Sequence, residues 1–156
     1  MMKIHRYQAA IEWTGNLGTG TDNYRNYSRD YEVKVENKRI VEGSSDPSFR
    51  GDSSRYNPEE LLLASIASCH LLWYLHLCAD NGVIVESYTD RATGTMKELS
   101  NGSGHFTEVV LHPIVTVNNE AMLTAAMELH VKANAMCFIA NSVKFPVRHQ
   151  AEIKVK

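Results

Sequence analysis

Cysteine is scarce in this chain. There are three in 156 residues, an odd number, at positions 69, 78 and 137. That count and spacing do not resemble a secreted disulfide framework. None of the three forms a Cys-x-x-Cys pair, so the sequence lacks the ligand spacing of a structural zinc site. Charge of one sign is also missing. The formal net charge is −2, which implies no general affinity for nucleic acid or an anionic membrane. The longest apolar run is interrupted by Ser68, His70 and His76 and reads as too short to span a bilayer. The first residues, Met1-Met2-Lys3-Ile4-His5-Arg6, lack the apolar centre of a secretory signal. The glycines from Gly15 to Gly20 lack the Gly-Lys-Ser/Thr ending of a phosphate loop. There is no internal repeat and no low-complexity tract. A cytoplasmic protein of one domain, residues 1–156, is expected.

What is present reads as strand, hairpin, helix, strands, helix, strand. Tyr7, Ala9, Ile11 and Trp13 alternate along a half-buried strand, and Tyr31, Val33 and Val35 repeat the pattern. Asn37-Lys38 makes a turn, after which Arg39-Ile40-Val41 resumes a strand. Gly43 to Asn57, rich in Ser, Asp, Gly and Pro, predicts a long exposed loop of the kind that often carries function. Asn57 then caps a helix that has Pro58 at its first position and Glu59 and Glu60 at the positive end of its dipole. The helix stays apolar nearly all round to Cys78 and stops at Asn81-Gly82, about 36 Å in all. Val83–Met96 and Phe106–Val117 predict two long strands joined by a Ser100–Gly104 hairpin loop. Pro113 places the second of these at an edge or at a bulge. Asn118-Asn119-Glu120 caps a second helix with Met122, Ala125, Ala126, Leu129 and Ala133 on its apolar face. Phe145 to Lys156 closes the chain as a final strand.

Cys69 and Cys137 lie in the two helical segments. If those segments pack together, the thiols meet as a dithiol redox centre. A peroxide-reducing thiol has to be a thiolate, with a cation or donor beside it, and needs a second thiol to trap the sulfenic acid. Arg29, Arg50 and Arg55 are candidate cations. Glu59, ten residues before Cys69, can anchor an arginine although it lies too far along the helix to touch the thiol. Cys78 is nine residues from Cys69, on the opposite helix face, and reads as packing. Leu71, Leu72, Trp73 and Phe138 could form an apolar pocket. Against all this stands the ordinary fate of a free cysteine, which is to fill a core.

The run Asn57-Pro58-Glu59-Glu60-Leu61-Leu62, continuing to Ala67-Ser68-Cys69-His70, resembles the first cysteine motif of the OsmC/Ohr family of thiol-dependent peroxidases. The run Ala135-Met136-Cys137-Phe138-Ile139-Ala140-Asn141-Ser142 resembles the second. The resemblance covers nearly the whole chain. It implies an α+β fold with antiparallel sheets around two long central helices, in an intertwined homodimer. Cys69 corresponds to the peroxidatic cysteine, Cys137 to the resolving cysteine and Glu59 to the glutamate that pairs with an active-site arginine. Arg50 corresponds to that arginine in osmotically induced members, and Arg29 to that of organic-hydroperoxide-resistance members; Arg50 is preferred. His70 stands where an aromatic residue is common. The implied activity is reduction of organic hydroperoxides, with hydrogen peroxide as a second candidate, by way of a Cys69 sulfenic acid and a Cys69–Cys137 disulfide. An external dithiol, lipoyl or thioredoxin-like, completes the cycle, and no metal or organic cofactor is implied. The alternative is a non-catalytic OsmC-like protein that binds a small molecule, or a metal through Cys69, His70, His76 and Cys137.

Overall fold

The computed structural model describes residues 2–156 and divides into two compact units, one ending at Leu61 and the other running Leu62–Lys156. The first unit holds a three-stranded antiparallel sheet of β1 (Ala10–Trp13), β2 (Tyr31–Lys34) and β3 (Val41–Gly43), in that order. Its register pairs Ile11 with Val33 and Val33 with Val41, so the alternating apolar positions share one face. Every residue of β1 is exposed, however, Ile11 and Trp13 included. The half-buried strand expected there is not covered within one chain. The third strand begins at Val41, two residues later than expected, because Asn37 at φ 59° completes the preceding turn.

The segment after β3 is less irregular than its composition suggests. Asp46 accepts a hydrogen bond from the Ser48 backbone N–H and caps a short 3-10 turn, Pro47–Phe49. The buried Ser44 hydroxyl accepts from the Asp52 N–H. At Gly51 an added Cβ would fall 1.5 Å from the Ser45 carbonyl oxygen, so only glycine fits where the chain folds back on itself.

Helix α1 (Pro58–Asp80) starts and stops where expected. Asn57 accepts from the Glu60 N–H at 2.8 Å while Glu60 reaches back to the Asn57 N–H at 3.1 Å, a reciprocal cap that satisfies two otherwise orphaned donors. Gly82 ends the helix at φ 69°, the left-handed conformation that glycine adopts without strain. Two expectations for α1 need correction. It does not bury most of its circumference: the buried residues are one stripe, Ile66, His70, Tyr74, Leu77 and Cys78, while Leu72 and Leu75 are exposed. Nor is it too short for a bilayer, being long and apolar enough by length and composition to cross one. Core helices pass the same test, and the stripe that α1 buries carries polar His70 and Tyr74.

The second unit contains two further sheets. The two long strands expected between the helices are four: β4 (Val85–Asp90), β5 (Thr93–Glu98), β6 (Gly104–Leu111) and β7 (Pro113–Val117). The breaks fall at Arg91-Ala92 and at His112, whose N–H is taken by the Asp90 carboxylate at 2.7 Å. Pro113 opens β7, where its missing N–H costs little. β7 is therefore not an edge but the centre of a sheet ordered β4-β7-β9. The final strand is likewise two, β8 (Val147–His149) and β9 (Glu152–Val155). β9 runs parallel to β7, and β8 runs parallel to β6 in the sheet β5-β6-β8. Helix α2 (Leu123–Met136) follows a 3-10 turn capped by Asn119. Two apolar clusters result. One joins Tyr74, Leu77 and Cys78 of α1 to Val115, Val117, Ala126, Leu129 and Ala133. The other joins Ile66 to Val109 and Leu111.

Candidate functional site

Cys69 points off the buried stripe of α1 and is partly exposed, whereas Cys137, just past the end of α2, is fully buried. Cys69 shares a groove wall with Phe138 and Ile139, the two residues that follow Cys137, and is near enough to act on the Cys137 thiol. The turn after Cys137 is closed on it: the Ala140 N–H points at its Sγ at 3.4 Å and the Asn141 N–H donates to its carbonyl. Burial, then the Cys69 neighbour, pushes the Cys137 thiol up to about 11, so at neutral pH Cys137 holds its proton. The pair is thus asymmetric, with one accessible sulfur and one sheltered thiol beside it.

An open groove of about 520 Å³ runs past Cys69, lined by Ser65, Ser68, Leu72, Trp73, His76, Phe138 and Ile139. Trp73 and Phe138 meet edge to face with centroids 5.6 Å apart and form an aromatic wall. Of the apolar residues expected here, Leu72, Trp73 and Phe138 line the groove and Leu71 does not. His76 belongs to it instead, held 3.4 Å from Asp80.

Cys78 is buried against the Tyr74 hydroxyl, and burial raises its thiol further. That environment suits a packing role.

The candidate cations belong to the first unit and differ sharply. The Arg29 guanidinium packs in the corner formed by Tyr24 and Tyr27, 4.2 and 4.1 Å from their ring centroids, and donates to both of their carbonyls. Arg55 faces the carboxylates of Glu42 at 3.5 Å and of Asp30 and Asp52 at 3.8 Å. Arg50 is exposed at φ 66°, and its side chain makes no ion pair among the described residues. Glu59 is half-buried near Tyr31, whose hydroxyl is shifted up first by burial and then by that carboxylate. Glu59 makes no ion pair among the described residues.

His70, one residue after Cys69, does not line the groove. It is fully buried, and its Nε2 lies 3.0 Å from Nδ1 of His130, also fully buried. The two rings are coplanar within 3°. Tyr74 stacks on His130 at 3.9 Å, and His149 lies 5.7 and 5.9 Å from the two rings. Burial, reinforced by the neighbouring imidazoles, holds His70 down to about 4 and His130 to about 3. The signal for His130 was legible: it is a titratable residue inside the apolar face formed by Ala126, Leu129 and Ala133. Among the described residues, no group of His, Cys, Asp or Glu side chains is arranged to hold a metal ion.

Comparison with known proteins agrees with this architecture. Residues 51–152 match the OsmC-like protein family, and the chain belongs to that family. An OsmC-like protein of unknown function from Vibrio cholerae superposes with a TM-score of 0.84 at 28% identity, covering 95% of this chain and 99% of that one. An organic hydroperoxide resistance protein from Elizabethkingia anophelis superposes with a TM-score of 0.71 at 18% identity over the full length of both chains. In sequence, the uncharacterized protein YmaD of Bacillus subtilis is 22% identical over 160 residues, spanning 99% of this chain and 97% of YmaD.

Proposed function

We propose that this protein is a thiol-dependent peroxidase that reduces organic hydroperoxides in preference to hydrogen peroxide. The observation that carries the reading is an accessible Cys69 at the wall of an apolar groove that also holds Phe138 and Ile139, with the sheltered Cys137 next to them in the chain and near enough to feel Cys69. The Cys69 thiolate attacks the outer oxygen of the hydroperoxide, the O–O bond breaks, and the departing alkoxide takes up a proton to leave as an alcohol. Cys69 is then a sulfenic acid. Cys137 condenses with it, releasing water and forming the Cys69–Cys137 disulfide, and an external dithiol, lipoyl or thioredoxin-like, reduces the disulfide.

Arg50 is the preferred cation for charge developing on the leaving oxygen, because Arg29 is already engaged by two tyrosines and two carbonyls. Glu59 serves to orient that arginine. The uncovered apolar face of α1 supports a homodimer, since only five of its 23 residues are buried in one chain. The chain acts as a single OsmC-like domain in the cytoplasm, where the resting dithiol stays reduced.

Steady-state turnover of a hydroperoxide panel with dihydrolipoyl and thioredoxin-type reductants tests the proposal. Turnover of bulky apolar hydroperoxides that disappears in Cys69→Ser supports it. A wild-type protein that consumes no hydroperoxide with either reductant sinks it.

A further inference from the structure

The buried imidazole pair has no part in the chemistry above, yet it adjoins the reactive residue in sequence and joins α1, which carries Cys69, to α2, which leads directly into Cys137. Cys69 and His70 are successive residues of α1, about 100° apart around its axis. One faces the groove and the other faces α2. Two directional bonds run from α1 to α2 on that second side: His70 Nε2 to His130 Nδ1 at 3.0 Å, and Tyr74 Oη donating to the Ala126 carbonyl at 3.1 Å. The four residues form two levels one helical turn apart on each helix, so the bonds restrain rotation of α1 as well as its position.

Rotation is the coordinate to which a dithiol pair is most sensitive. A helical side chain reaches roughly 5–6 Å from the axis, so a 20° turn of α1 moves the Cys69 sulfur by about 2 Å. A disulfide tolerates far less, because its S–S bond is about 2.05 Å and its Cβ atoms must come within about 4.5 Å. An apolar stripe resists such rotation only through packing, which is non-directional. A coplanar N–H···N bond in a dry interior fixes both distance and angle.

We propose that His70 and His130 are positioning residues: their hydrogen bond sets the rotation of α1 against α2 that brings Cys69 onto Cys137. This rests on the dithiol reading, but not on peroxide being the oxidant. Asn in place of His130 presents an amide at the level of Nδ1 and can keep the bond, whereas Leu fills the space and cannot.

The experiment measures the effective concentration of the Cys69–Cys137 pair in glutathione redox buffers, in the full chain carrying Cys78→Ser to remove the third thiol. Urea melts and hydroperoxide turnover are recorded alongside. His130→Leu is expected to lower the effective concentration at least tenfold, and His130→Asn to restore it to within about threefold of the parent. Where His130→Leu does not fold, His70→Met, unbranched and apolar, is read in the same way. An unchanged effective concentration in the apolar variant overturns the proposal. So does an equal fall in the Leu and Asn variants, because packing rather than the bond would then be responsible. A parent that forms its disulfide normally but turns over no hydroperoxide leaves the positioning role standing and removes only the peroxidase reading. A parent that forms no disulfide overturns both.

Discussion

Lowering the pH should destabilise this protein well before its carboxylates are protonated. In an unfolded chain the histidines titrate near 6.5, whereas in the fold His70 is held to about 4 and His130 to about 3, with His149 also lowered. The folded state therefore binds fewer protons than the unfolded one as pH falls through 6.5. The stabilisation is complete above that value and is lost progressively below it. Each fully depressed imidazole removes up to about 1.4 kcal/mol per pH unit, so His70 and His130 together cost about 4 kcal/mol between pH 7 and 5. That is a large part of the 5–15 kcal/mol that typically holds a domain. The other titratable groups around the pair, Tyr74 and Tyr88, are shifted upward by burial and stay neutral throughout. Half-buried Asp90 has its pKa raised, mainly by desolvation; it works in the opposite sense and relieves part of the loss as it protonates. Urea midpoints measured from pH 7.5 to 5 at one protein concentration test the argument, since an oligomer's stability depends on concentration. The midpoint should fall steeply, and His130→Asn, with one titrating ring fewer, should show a clearly shallower slope. A flat midpoint across this range, or buried imidazole NMR signals titrating near 6.5 in the folded protein, would refute it.

Four further outcomes are expected. With one equivalent of hydroperoxide, intact-mass spectrometry should show wild-type protein losing two hydrogens; with three or more equivalents, Cys137→Ser should gain two or three oxygens on Cys69 while Cys69→Ser stays unchanged, and oxygen gain in the wild type at one equivalent contradicts the cycle. Cys78→Ser should keep turnover within about twofold of wild type, as its buried thiol faces Tyr74; a loss matching that of Cys69→Ser in folded protein contradicts its packing role. Arg50→Ala should lower turnover by about 10²–10³ with little change in melting, the usual effect of removing a group that stabilises developing charge. Arg29→Ala should instead lower stability by about 1–2 kcal/mol through loss of its contacts with Tyr24 and Tyr27; the reverse pattern would exchange their roles. Sedimentation at micromolar concentration should give a dimer with an interface above about 2,000 Å², and a monomer there refutes the covering of α1 by a second copy.

Local signals located the helices well and the strands less well. Asn57, Pro58 and Gly82 mark the ends of α1 because caps depend on residues that are neighbours in sequence. Strand breaks depend on tertiary partners. The turn at Arg91-Ala92 and the bond from His112 to Asp90 could not be inferred from alternation, since the hydrophobic pattern runs straight through both. Pro113 misled for a related reason: a proline lacks a donor wherever it sits, but at the first position of β7 that loss falls outside the ladder, which allows the strand to be central. The circumference of α1 was misjudged because an all-round apolar helix shows that burial is needed without showing that one chain supplies it.

The site was legible in proportion to how chemically distinctive its residues are. Two cysteines in two helical segments form a rare combination, and the structure places Cys69 near enough to act on the Cys137 thiol. Arginines are common, and sequence alone cannot distinguish one clamped by Tyr24 and Tyr27 from one left exposed; that distinction favours Arg50. The histidines carry the stronger lesson. Read beside Cys69, His70 suggests substrate contact or metal ligation, because adjacency in sequence looks like adjacency in a site. On a helix, successive residues point about 100° apart, so the neighbour of a groove-facing residue is a good candidate for the buried face. Had His70 and His130 been assigned by helical phase rather than by proximity, both would have fallen on the apolar stripes of their helices. Two imidazoles on facing stripes can each engage one nitrogen with the other, which offsets part of the cost of burying them, although His70 Nδ1 and His130 Nε2 have no partner among the described residues. The polar residue that looked least suited to a core is thus the one whose bonding requirement fixes how α1 meets α2.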